Sequence, residues 1–525
     1  MIGGYNQYNQ EILDDDSKLY KFKPDIIFLF IDTKTLLGDL YFDYHTRSQN
    51  EVNALLESIL CTIKKLLSKL IKKLKCKIVV HNFEVPTRSP LGIIDNKEEL
   101  GFIEFVKKLN SELNDFCKNK TGVFVFDYDL FCSRHGKENI LDWKMYYLGD
   151  IKIGFKYLPY LCDEYLSYVK PLCSLSKKCL VLDLDNTLWG GIIGEEGLEG
   201  IQLGPDKNGK PFYEFQKYIL ALFKRGIILA VNSKNNPDDV MKVLREHPYM
   251  VLKEEHFASL QVNWDDKITN MKRIAEELNI GLDSMVFFDD DPLNREMIRK
   301  SLPMVEVVEM PEDTSLYLKT IMDLNSFNSF QFSVEDKNKG RMYAEQRKRK
   351  ELSSKTIDIT EYLRELKMVA TIQKPTGFTI PRIAQLTQKT NQFNMTTKRY
   401  SEEDIKQFLN DEHLVFSVSV KDKFGDNGIV GVSIVDKYNW MIDTFLLSCR
   451  VIGRKIEKVM MSYILEEAIR HKAKSVMGVY IPTVKNIPAK SFYEDMGFKP
   501  IEKNKYIYHI DKGYTYPSFI EVHYG

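Results

Sequence analysis

Residues 177–191, KKCLVLDLDNTLWGG, decide the fold of the middle of this chain. The apolar run Cys179–Leu182 predicts a buried strand, and Asp183 and Asp185 follow it directly. In open parallel sheets, ligands bind outside the carboxyl ends of the strands, which is where these two carboxylates would lie. Two aspartates at this spacing can offer Mg²⁺ a carboxylate and a backbone carbonyl oxygen, which are the hard ligands that this cation prefers.

Three later segments repeat this arrangement. GIILAVNSKNN places Ser233 after a second strand, VNWDDKITN places Lys267 at a helix start, and SMVFFDDDPLNRE places Asp289 and Asp290 after a third strand. With Asp183, these residues would gather a nucleophile, an acid or base, a hydroxyl donor, a cation and metal carboxylates, as phosphoryl transfer requires. A lone D-x-D, serine or lysine usually only forms a turn or caps a helix. The prediction of a phosphoryl-transfer site therefore rests on all four segments together.

Alternating strand and helix patterns continue on both sides of this region and predict a multidomain α/β protein. A chain of 525 residues is long enough for about three or four domains. We predict an α/β region at 1–175, the carboxylate-bearing α/β region at 176–325, a helical linker at 326–370 and an α+β region at 371–525.

Composition excludes several function classes. Lys+Arg and Asp+Glu are both 74, so the chain lacks the basic excess of most nucleic-acid-binding proteins. No apolar stretch reaches the roughly 18–20 residues of a membrane span. The N-terminus lacks the basic start and apolar core of a signal peptide, so we expect a cytoplasmic protein. The eight cysteines show no C-x-x-C spacing, which argues against a structural zinc site.

Residues 53–75 predict an amphipathic helix with an apolar face and a lysine-rich face. One interpretation is a helix that binds a membrane surface or an acidic partner, such as an acidic carrier protein. The other is a helix that covers the sheet and leaves its lysines in water. The strand-like sequence KIVVHNF that follows favours the second interpretation.

The segment after Leu188 is too short for a full cap domain. Residues 189–204, WGGIIGEEGLEGIQLG, predict a glycine-rich hairpin flap instead. A site without a cap would stay open to a large or partner-borne substrate. The alternative is that another domain of the chain covers it.

The four motifs, in this order, resemble the haloacid-dehalogenase (HAD) phosphatase superfamily. The resemblance implies that Asp183 is the nucleophile and that Asp185 protonates the leaving group and then deprotonates water. It implies that Thr187 supports this loop, that Ser233 hydrogen-bonds the phosphoryl group, and that Lys267 stabilises the charge on the nucleophile and the phosphoryl group.

The same resemblance implies a Mg²⁺ site. Its ligands would be the Asp183 carboxylate, the Asp185 carbonyl and a carboxylate of the Asp289–Asp290 pair, with Asp290 favoured as the direct ligand.

Longer stretches, including 385–400, 445–457 and 486–498, resemble the FkbH-like family, HAD subfamily IIIC, over nearly the whole chain. This resemblance implies an SGNH-hydrolase-like N-terminal domain, a HAD-like Rossmannoid core with a minimal cap, and an acetyltransferase-like (GNAT-like) C-terminal domain. Members of this family remove phosphate from 1,3-bisphosphoglycerate and load its glyceryl unit onto an acyl carrier protein as a thioester. The products are polyketide extender units, and relatives occur in surface-polysaccharide pathways.

Two departures from the implied folds shape our expectations. The glycine-rich block that carries the SGNH serine nucleophile is missing from the sequence, so we expect the first region to be non-catalytic. The GNAT pyrophosphate motif, R/Q-x-x-G-x-G/A, has a lysine at its last position in the stretch from Arg450 to Lys455. We therefore do not expect acetyl-CoA binding, although a phosphopantetheine arm could use the same cleft.

The C-terminal region contains further candidate site residues. Cys449 precedes a helix predicted to start near Arg454, and helix N-termini and neighbouring cations such as Arg450 lower a thiol pKa. With the family resemblance, this suggests an acyl relay; a small buried hydrophobe is the alternative. The candidate substrate-binding residues are Asn391, Gln392, Asn394 and Arg450, although 391–394 can also be read as a polar strand-to-helix turn.

Three functions are compatible with the sequence. The first is an enzyme that transfers a glyceryl unit from a small phosphorylated glycerate to an acyl carrier protein. The second is a plain Mg²⁺ phosphatase acting on a small phosphorylated metabolite. The third is a carrier-protein-binding module with decayed catalysis, which the intact motif set disfavours.

Overall fold

The computed structural model describes residues 3–4, 6–330, 334–355, 358–411, 413–510 and 515–525. The chain divides into two compact units, Met1–Cys173 and Ser174–Gly525. This division falls next to the boundary predicted at 175–176, and the regions predicted at 176–325, 326–370 and 371–525 all lie in the second unit. In the part of the chain that the structure describes, no helix is both long and apolar enough to span a membrane.

The first unit is built on a three-stranded parallel sheet in the order β1-β2-β3. Two apolar clusters cover the sheet, so helices pack on both of its faces. The strands are β1 (Ile26–Leu29), β2 (Lys77–His81) and β3 (Val123–Phe126). The helices are α1 (Tyr8–Leu13), α2 (Lys18–Phe22), α3 (Thr33–Leu37), α4 (Leu40–Asp43), α5 (Gln49–Lys73), α6 (Phe102–Lys118), α7 (Tyr128–His135), α8 (Lys137–Ile140), α9 (Trp143–Gly149) and α10 (Leu158–Leu172).

Helix α5 covers one face of this sheet. It begins with a capping box formed by Ser48 and Glu51, and its apolar face is buried in the cluster that includes strand residues of β2. On its solvent side, Lys69 and Lys73 lie 2.7 and 2.9 Å from the Asp15 carboxylate. The sheet-covering interpretation of residues 53–75 is confirmed.

The second unit begins with a five-stranded parallel sheet in the order β6-β5-β4-β7-β8. All four residues of its central strand β4 are fully buried, because apolar clusters cover both faces. The strands are β4 (Cys179–Leu182), β5 (Ile228–Ser233), β6 (Phe257–Val262), β7 (Met285–Phe288) and β8 (Glu306–Val307). The helices are α11 (Ile193–Gly200), α12 (Lys210–Lys224), α13 (Pro237–Glu246), α14 (Lys267–Leu278), α15 (Pro292–Ser301) and α16 (Tyr317–Met322).

Two helices follow, α17 (Val334–Lys355) and α18 (Ile359–Glu365). These two helices fall in the region predicted as a helical linker, 326–370, of which residues 331–333 and 356–357 lie outside the described residues. Residues 326–330 form no helix, and a strand begins at Met368. α17 is nevertheless a packed element rather than a spacer. It contacts β6 of the parallel sheet, and its buried Arg349 donates two 2.8 Å hydrogen bonds to Asp422 of the next sheet.

The C-terminal sheet has nine strands, ordered β15-β16-β14-β13-β12-β11-β9-β17, with β10 paired to β13. β13 and β14 are parallel and pair only at Met441↔Met477 and Ile442↔Gly478. The strands are β9 (Met368–Gln373), β10 (Phe393–Asn394), β11 (His413–Asp422), β12 (Gly425–Asp436), β13 (Met441–Leu447), β14 (Ser475–Val479), β15 (Lys499–Glu502), β16 (Lys505–His509) and β17 (Ile520–Tyr524). The helices are α19 (Ile380–Lys389), α20 (Glu402–Asn410), α21 (Ile456–Arg470) and α22 (Phe492–Asp495).

Candidate active site

The residues predicted from the four motifs meet at the carboxyl edge of the five-stranded sheet. Asp183 follows β4, Asp289 follows β7, and Lys267 is the first residue of α14. The Lys267 Nζ lies 2.7 Å from Asp183 Oδ2 and also contacts Asp289 Oδ2. Lys267 is only 4% exposed and Asp289 is 0% exposed, so this ionic group is held out of water.

Three carboxylates in this pocket could hold a cation. Oxygen atoms of Asp183, Asp289 and Asp290 all lie within 4.8 Å of one another. One carboxylate oxygen of Asp183, Oδ1, is buried and has no hydrogen-bond partner among the described residues. Three carboxylates against one ammonium leave excess negative charge, and a divalent cation with oxygen ligands would fit both features.

Burial and mutual repulsion shift the pKa values in this cluster. Burial, helped by the charge of Asp183, raises the pKa of Asp290 to about 6. The same two causes raise the pKa of Asp289 to about 6. Burial alone would lower the pKa of Lys267, but the charges of Asp183 and Asp289 outweigh it, so its pKa is raised.

Asp185 is fixed by three hydrogen bonds. Its Oδ1 accepts from Trp189 Nε1 at 2.8 Å and from the Ile193 N–H at 3.2 Å, and its Oδ2 accepts from Asn235 Nδ2 at 3.0 Å. Burial raises the pKa of Asp185, against the effect of the Asn235 hydrogen bond. Asn235 also donates to Ser233 Oγ at 3.2 Å, so it links two of the predicted residues.

Thr187 and Arg295 shape the loop that carries Asp289 and Asp290. The Asp290 N–H donates to Thr187 Oγ1 at 3.2 Å. Arg295 is buried and donates to the carbonyl oxygens of Asp289 at 2.9 Å and Asp290 at 2.6 Å. Asn235 and Arg295 were not predicted as site residues. Asn235 lies two positions after Ser233, and Arg295 lies four positions after Asp291. This closeness to the motifs was the sequence signal that could have identified them.

The segment predicted as a hairpin flap instead forms two short helical turns, separated by a kink at Gly197 and closed at their base. A single antiparallel bridge joins Gly190 to Gln202, and α11 lies between them. The hairpin prediction is therefore wrong. Glu195 and Glu196 lie in the first turn of α11, where acidic side chains stabilise a helix N-terminus.

Cys449 lies away from the carboxylates. It belongs to a short 3₁₀ turn, Cys449–Val451, whereas α21 begins only at Ile456, so Cys449 is not at the N-terminus of that helix. Its Sγ is 3.4 Å from the hydroxyl of buried Tyr343, which shares an apolar cluster with Cys179. Cys179 is the first residue of β4, and Asp183 follows the last, so roughly 13 Å of strand separates Cys179 from Asp183. Cys449 is therefore toward the amino end of β4.

Asn391 and Gln392 make hydrogen bonds within the second unit. The Asn391 side-chain oxygen accepts from Arg399. Gln392 donates to the Asn279 side chain at 2.9 Å, just beyond the end of α14 that is opposite Lys267.

Asn394 and Arg450 also bond locally. Asn394 is fully buried, donates to the Thr390 carbonyl at 3.2 Å and accepts from the Thr397 N–H at 2.9 Å. Arg450 donates to the Asn427 carbonyl at 3.1 Å. Across the described ranges, no hydrogen bond or ion pair joins Asn391, Gln392, Asn394 or Arg450 to the carboxylate cluster. Their role in substrate binding stays a prediction.

Comparison with known proteins found a family model and several solved structures to which the chain is similar. The family model for the FkbH N-terminal domain matches residues 1–170. The N-terminal part of the protein BF1531 from Bacteroides fragilis, which contains a phosphatase domain and was crystallised with Mg, is 33% identical. The match covers 63% of this chain and 86% of that chain, with a TM-score of 0.58.

Weaker structural likenesses involve acetyltransferases. A GNAT-family acetyltransferase from Staphylococcus aureus is 14% identical over 27% of this chain and 99% of its own, with a TM-score of 0.22. Ard1 from Thermoplasma volcanium is 18% identical over 26% of this chain and 94% of its own, with a TM-score of 0.20. No curated protein matched the sequence.

Proposed function

The chain belongs to the FkbH-like family, and we propose that it is a Mg²⁺-dependent enzyme that dephosphorylates 1,3-bisphosphoglycerate and transfers the glyceryl unit to an acyl carrier protein. The main support for this proposal is the phosphatase-type domain of the chain. The supporting observation is Asp183. Its Oδ2 lies 2.7 Å from the Lys267 Nζ, and its buried Oδ1 has no hydrogen-bond partner in the part of the chain that the structure describes. A carboxylate oriented in this way is suited to act as a nucleophile.

Asp183, Asp290 and the carbonyl of Asp185 would hold Mg²⁺, with Asp289 kept in place by Lys267. The three clustered carboxylates and the orphaned Asp183 oxygen support this assignment, as does the Mg in the Bacteroides fragilis structure. When bound, Mg²⁺ would neutralise phosphoryl charge as a Lewis acid.

Asp183 would attack the phosphorus of the C3 phosphate, forming an aspartyl phosphate as the bond between phosphorus and the substrate oxygen breaks. Asp185 would give its proton to that oxygen and later take one from the water that hydrolyses the intermediate. Burial raises the pKa of Asp185, which favours the protonated form that the first step needs. Ser233 and Lys267 would bind the transferring phosphoryl group.

The C1 acyl phosphate requires different chemistry. Hydrolysis at its phosphorus would destroy the activation needed to make a thioester. A thiolate must instead attack the C1 carbonyl, forming the carbon–sulfur bond while the carbon–oxygen bond breaks and inorganic phosphate leaves. That thiolate would belong to the carrier protein or to Cys449 as a relay, with 391–394 and Arg450 near the acyl group.

The remaining assignments are part of the same proposal. The first unit would be an SGNH-like domain without hydrolase activity, which its parallel sheet supports. The nine-stranded sheet and its helices would form the GNAT-like domain.

Intact-mass spectrometry tests the proposal. The full chain is incubated with Mg²⁺, 1,3-bisphosphoglycerate and a phosphopantetheinylated carrier protein. We expect a glyceryl adduct on the carrier with the wild-type chain. With Asp183→Asn, we expect an adduct that keeps the C3 phosphate, because only the phosphoryl step is blocked.

Asp206→Asn, which makes the same change at an exposed position of the same domain, is the matched control. An Asp183→Asn chain that still produces the dephosphorylated glyceryl adduct would refute the division of labour. Phosphate release with no carrier adduct would refute the transfer step.

A plain Mg²⁺ phosphatase is the second candidate. The observation that favours it is the position of Cys449, beside Tyr343 and toward the amino end of β4, whereas Asp183 follows the carboxyl end. A phosphatase acting on a small metabolite would need only the carboxylate edge of the sheet.

A further inference from the structure

The loop that follows β14 exposes several apolar side chains. Val484 is 91% exposed, Ile487 is 63% exposed, and Ile481 is also on the surface. Isolated exposed apolar residues are common in proteins, but three in one short loop form a patch that a partner can cover.

This loop is rigidly built. Asn486 is fully buried and donates to the carbonyl oxygens of Ile481 at 2.9 Å and Asn394 at 3.0 Å. Its side-chain oxygen accepts from the Thr483 N–H at 2.7 Å and the Tyr480 hydroxyl at 3.1 Å. Because the loop is already ordered, a partner that binds it does not have to offset the entropy of fixing it.

The surroundings of the loop are basic. From Ile481 to Lys505 the sequence contains five lysines against three acidic residues, Glu494, Asp495 and Glu502. Lys485 and Lys490 lie within the loop itself, which has no acidic residue before Glu494. Lys503 lies near the start of the loop, since the neighbouring Asn504 carbonyl accepts from the Tyr480 N–H at 2.9 Å. All three lysines are exposed, and in the described part of the chain none of them forms an ion pair. The whole chain has no net charge, so the excess is local.

We propose that this surface, the Val484 patch, docks the acyl carrier protein, an inference that rests on the proposed function. Its members are Ile481, Val484, Ile487, Lys485, Lys490 and Lys503. An apolar centre with a basic rim is complementary to an acidic protein that presents apolar side chains, and such complementarity steers association. A lysine-rich surface also exists on α5, but Lys69 and Lys73 there are already paired with Asp15.

The patch adjoins the predicted acyl site. The Ile481 N–H donates to the Met395 carbonyl at 2.7 Å, and the Met395 N–H donates to the Phe445 carbonyl at 3.1 Å. Phe393 in the same segment pairs with Leu447, two residues before Cys449. A carrier docked on the patch would bring its thiol toward Cys449 and not toward Asp183.

Binding of the phosphopantetheinylated carrier used in the mass-spectrometric assay tests the proposal. Kd is measured by fluorescence anisotropy for the wild type, for Lys485→Glu/Lys490→Glu, and for Lys65→Glu/Lys72→Glu as the matched charge reversal on α5. We expect the first variant to raise Kd by about tenfold or more and the α5 variant to leave it unchanged. Wild-type binding should weaken as salt is added.

A second pair of variants tests the apolar centre of the patch. Val484→Asn should raise Kd by about fivefold, whereas Phe378→Asn, at a position that is 86% exposed elsewhere in the C-terminal region, should not. Neither substitution removes a buried contact, so loss of folding would not explain a difference.

The outcomes separate this proposal from the proposed function. If the wild-type chain loads the carrier with glyceryl but Kd is unchanged in Lys485→Glu/Lys490→Glu and in Val484→Asn, the docking proposal is wrong and the transfer activity is supported. Carrier binding that the patch variants weaken, without any loading, would support the docking surface and refute the transfer step. No wild-type binding of the carrier, or patch-dependent binding to vesicles of anionic lipid instead, would overturn the docking proposal.

Discussion

At the scale of single residues, Arg295 holds the loop that carries Asp289 and Asp290, two carboxylates of the proposed Mg²⁺ site. Its guanidinium is buried and binds two successive carbonyl oxygens, those of Asp289 and Asp290, while pairing with Glu309 at 2.8 Å. A planar guanidinium can make these contacts together, and an ammonium cannot.

Arg295→Lys should therefore weaken the binding of Mg²⁺. We expect the Mg²⁺ concentration for half-maximal phosphate release to rise by about tenfold, because second-layer contacts of this kind orient metal ligands. Arg299→Lys is the matched control, since Arg299 pairs with the same Glu309 at 2.8 Å and makes no hydrogen bond to the loop among the described contacts. A Mg²⁺ titration of phosphate release that is identical for Arg295→Lys and wild type would contradict this role.

His81 makes the first unit sensitive to acid. It is fully buried among aromatic rings, and its Nε2 lies 2.8 Å from the Tyr165 hydroxyl. Burial lowers its pKa to about 3. As pH falls below about 6.5, the unfolded chain takes up a proton at this histidine and the folded chain does not, so the free energy of unfolding falls by up to about 1.4 kcal/mol per pH unit.

His81→Phe should remove that part of the acid sensitivity. Hydrogen exchange of the β2 amides, compared between pH 7 and pH 5 after correction for intrinsic rates, measures it. The exposed His45→Phe is the control and should keep the wild-type difference. If the β2 amides lose as much protection from hydrogen exchange between pH 7 and pH 5 in His81→Phe as in wild type, His81 is not the source of the acid sensitivity.

At the scale of elements, β4 was predicted with the bounds that it has, because a strand buried on both faces is a continuous apolar run. β8 was not predicted, since two half-buried residues carry no periodic signal. α11 was mistaken for a hairpin because its glycines suggested a turn, although only Gly197, at φ 68°, has a non-helical backbone inside it.

The carboxylate site was predictable for a similar reason. Each motif residue follows a strand or starts a helix, and parallel strands bring their carboxyl ends to one edge. Asn235 and Arg295 were missed. Their closeness to the motifs in sequence was a signal, but their roles depend on hydrogen bonds that form only in the folded chain.

The loop between β14 and α22 depends on Asn486. Asn486→Ala would leave the Thr483 N–H and the carbonyl oxygens of Asn394 and Ile481 without this partner. We expect a loss of stability of about 2–4 kcal/mol, since unsatisfied buried polar groups cost about 1–3 kcal/mol each and some will rehydrate.

Hydrogen exchange should show this loss locally, as faster exchange in 393–395 and 480–488. Asn439→Ala removes only a 3.2 Å hydrogen bond to Asp436 in an exposed turn and serves as the control. Unchanged protection of 393–395 in Asn486→Ala would show that the segment is held by β13 alone.

At the scale of the whole molecule, two of the C-terminal candidates, Gln392 and Cys449, lie away from the carboxyl edge of the parallel sheet. Asp183 and Lys267 occupy the carboxyl edge, at the start of α14, whereas Gln392 contacts Asn279 just beyond the other end of that helix. A helix spanning Lys267–Leu278 is about 18 Å long, so one small phosphorylated metabolite would not touch both Lys267 and Gln392. Dephosphorylation and acyl transfer would then be separate events.

Separate sites predict separable activities. Cys449→Ala should leave Mg²⁺-dependent phosphate release from a simple phosphate ester within about twofold of wild type, because sites without shared partners behave independently. The same variant should lower the rate of carrier loading if the thiol is a relay. Cys162→Ala, at an exposed cysteine of the first unit, controls for thiol loss and should change neither rate. Combining Cys449→Ala with Asp183→Asn should give the product of the two single effects on loading. A Cys449→Ala chain that loses phosphate release while remaining folded would show that the two edges act as one site.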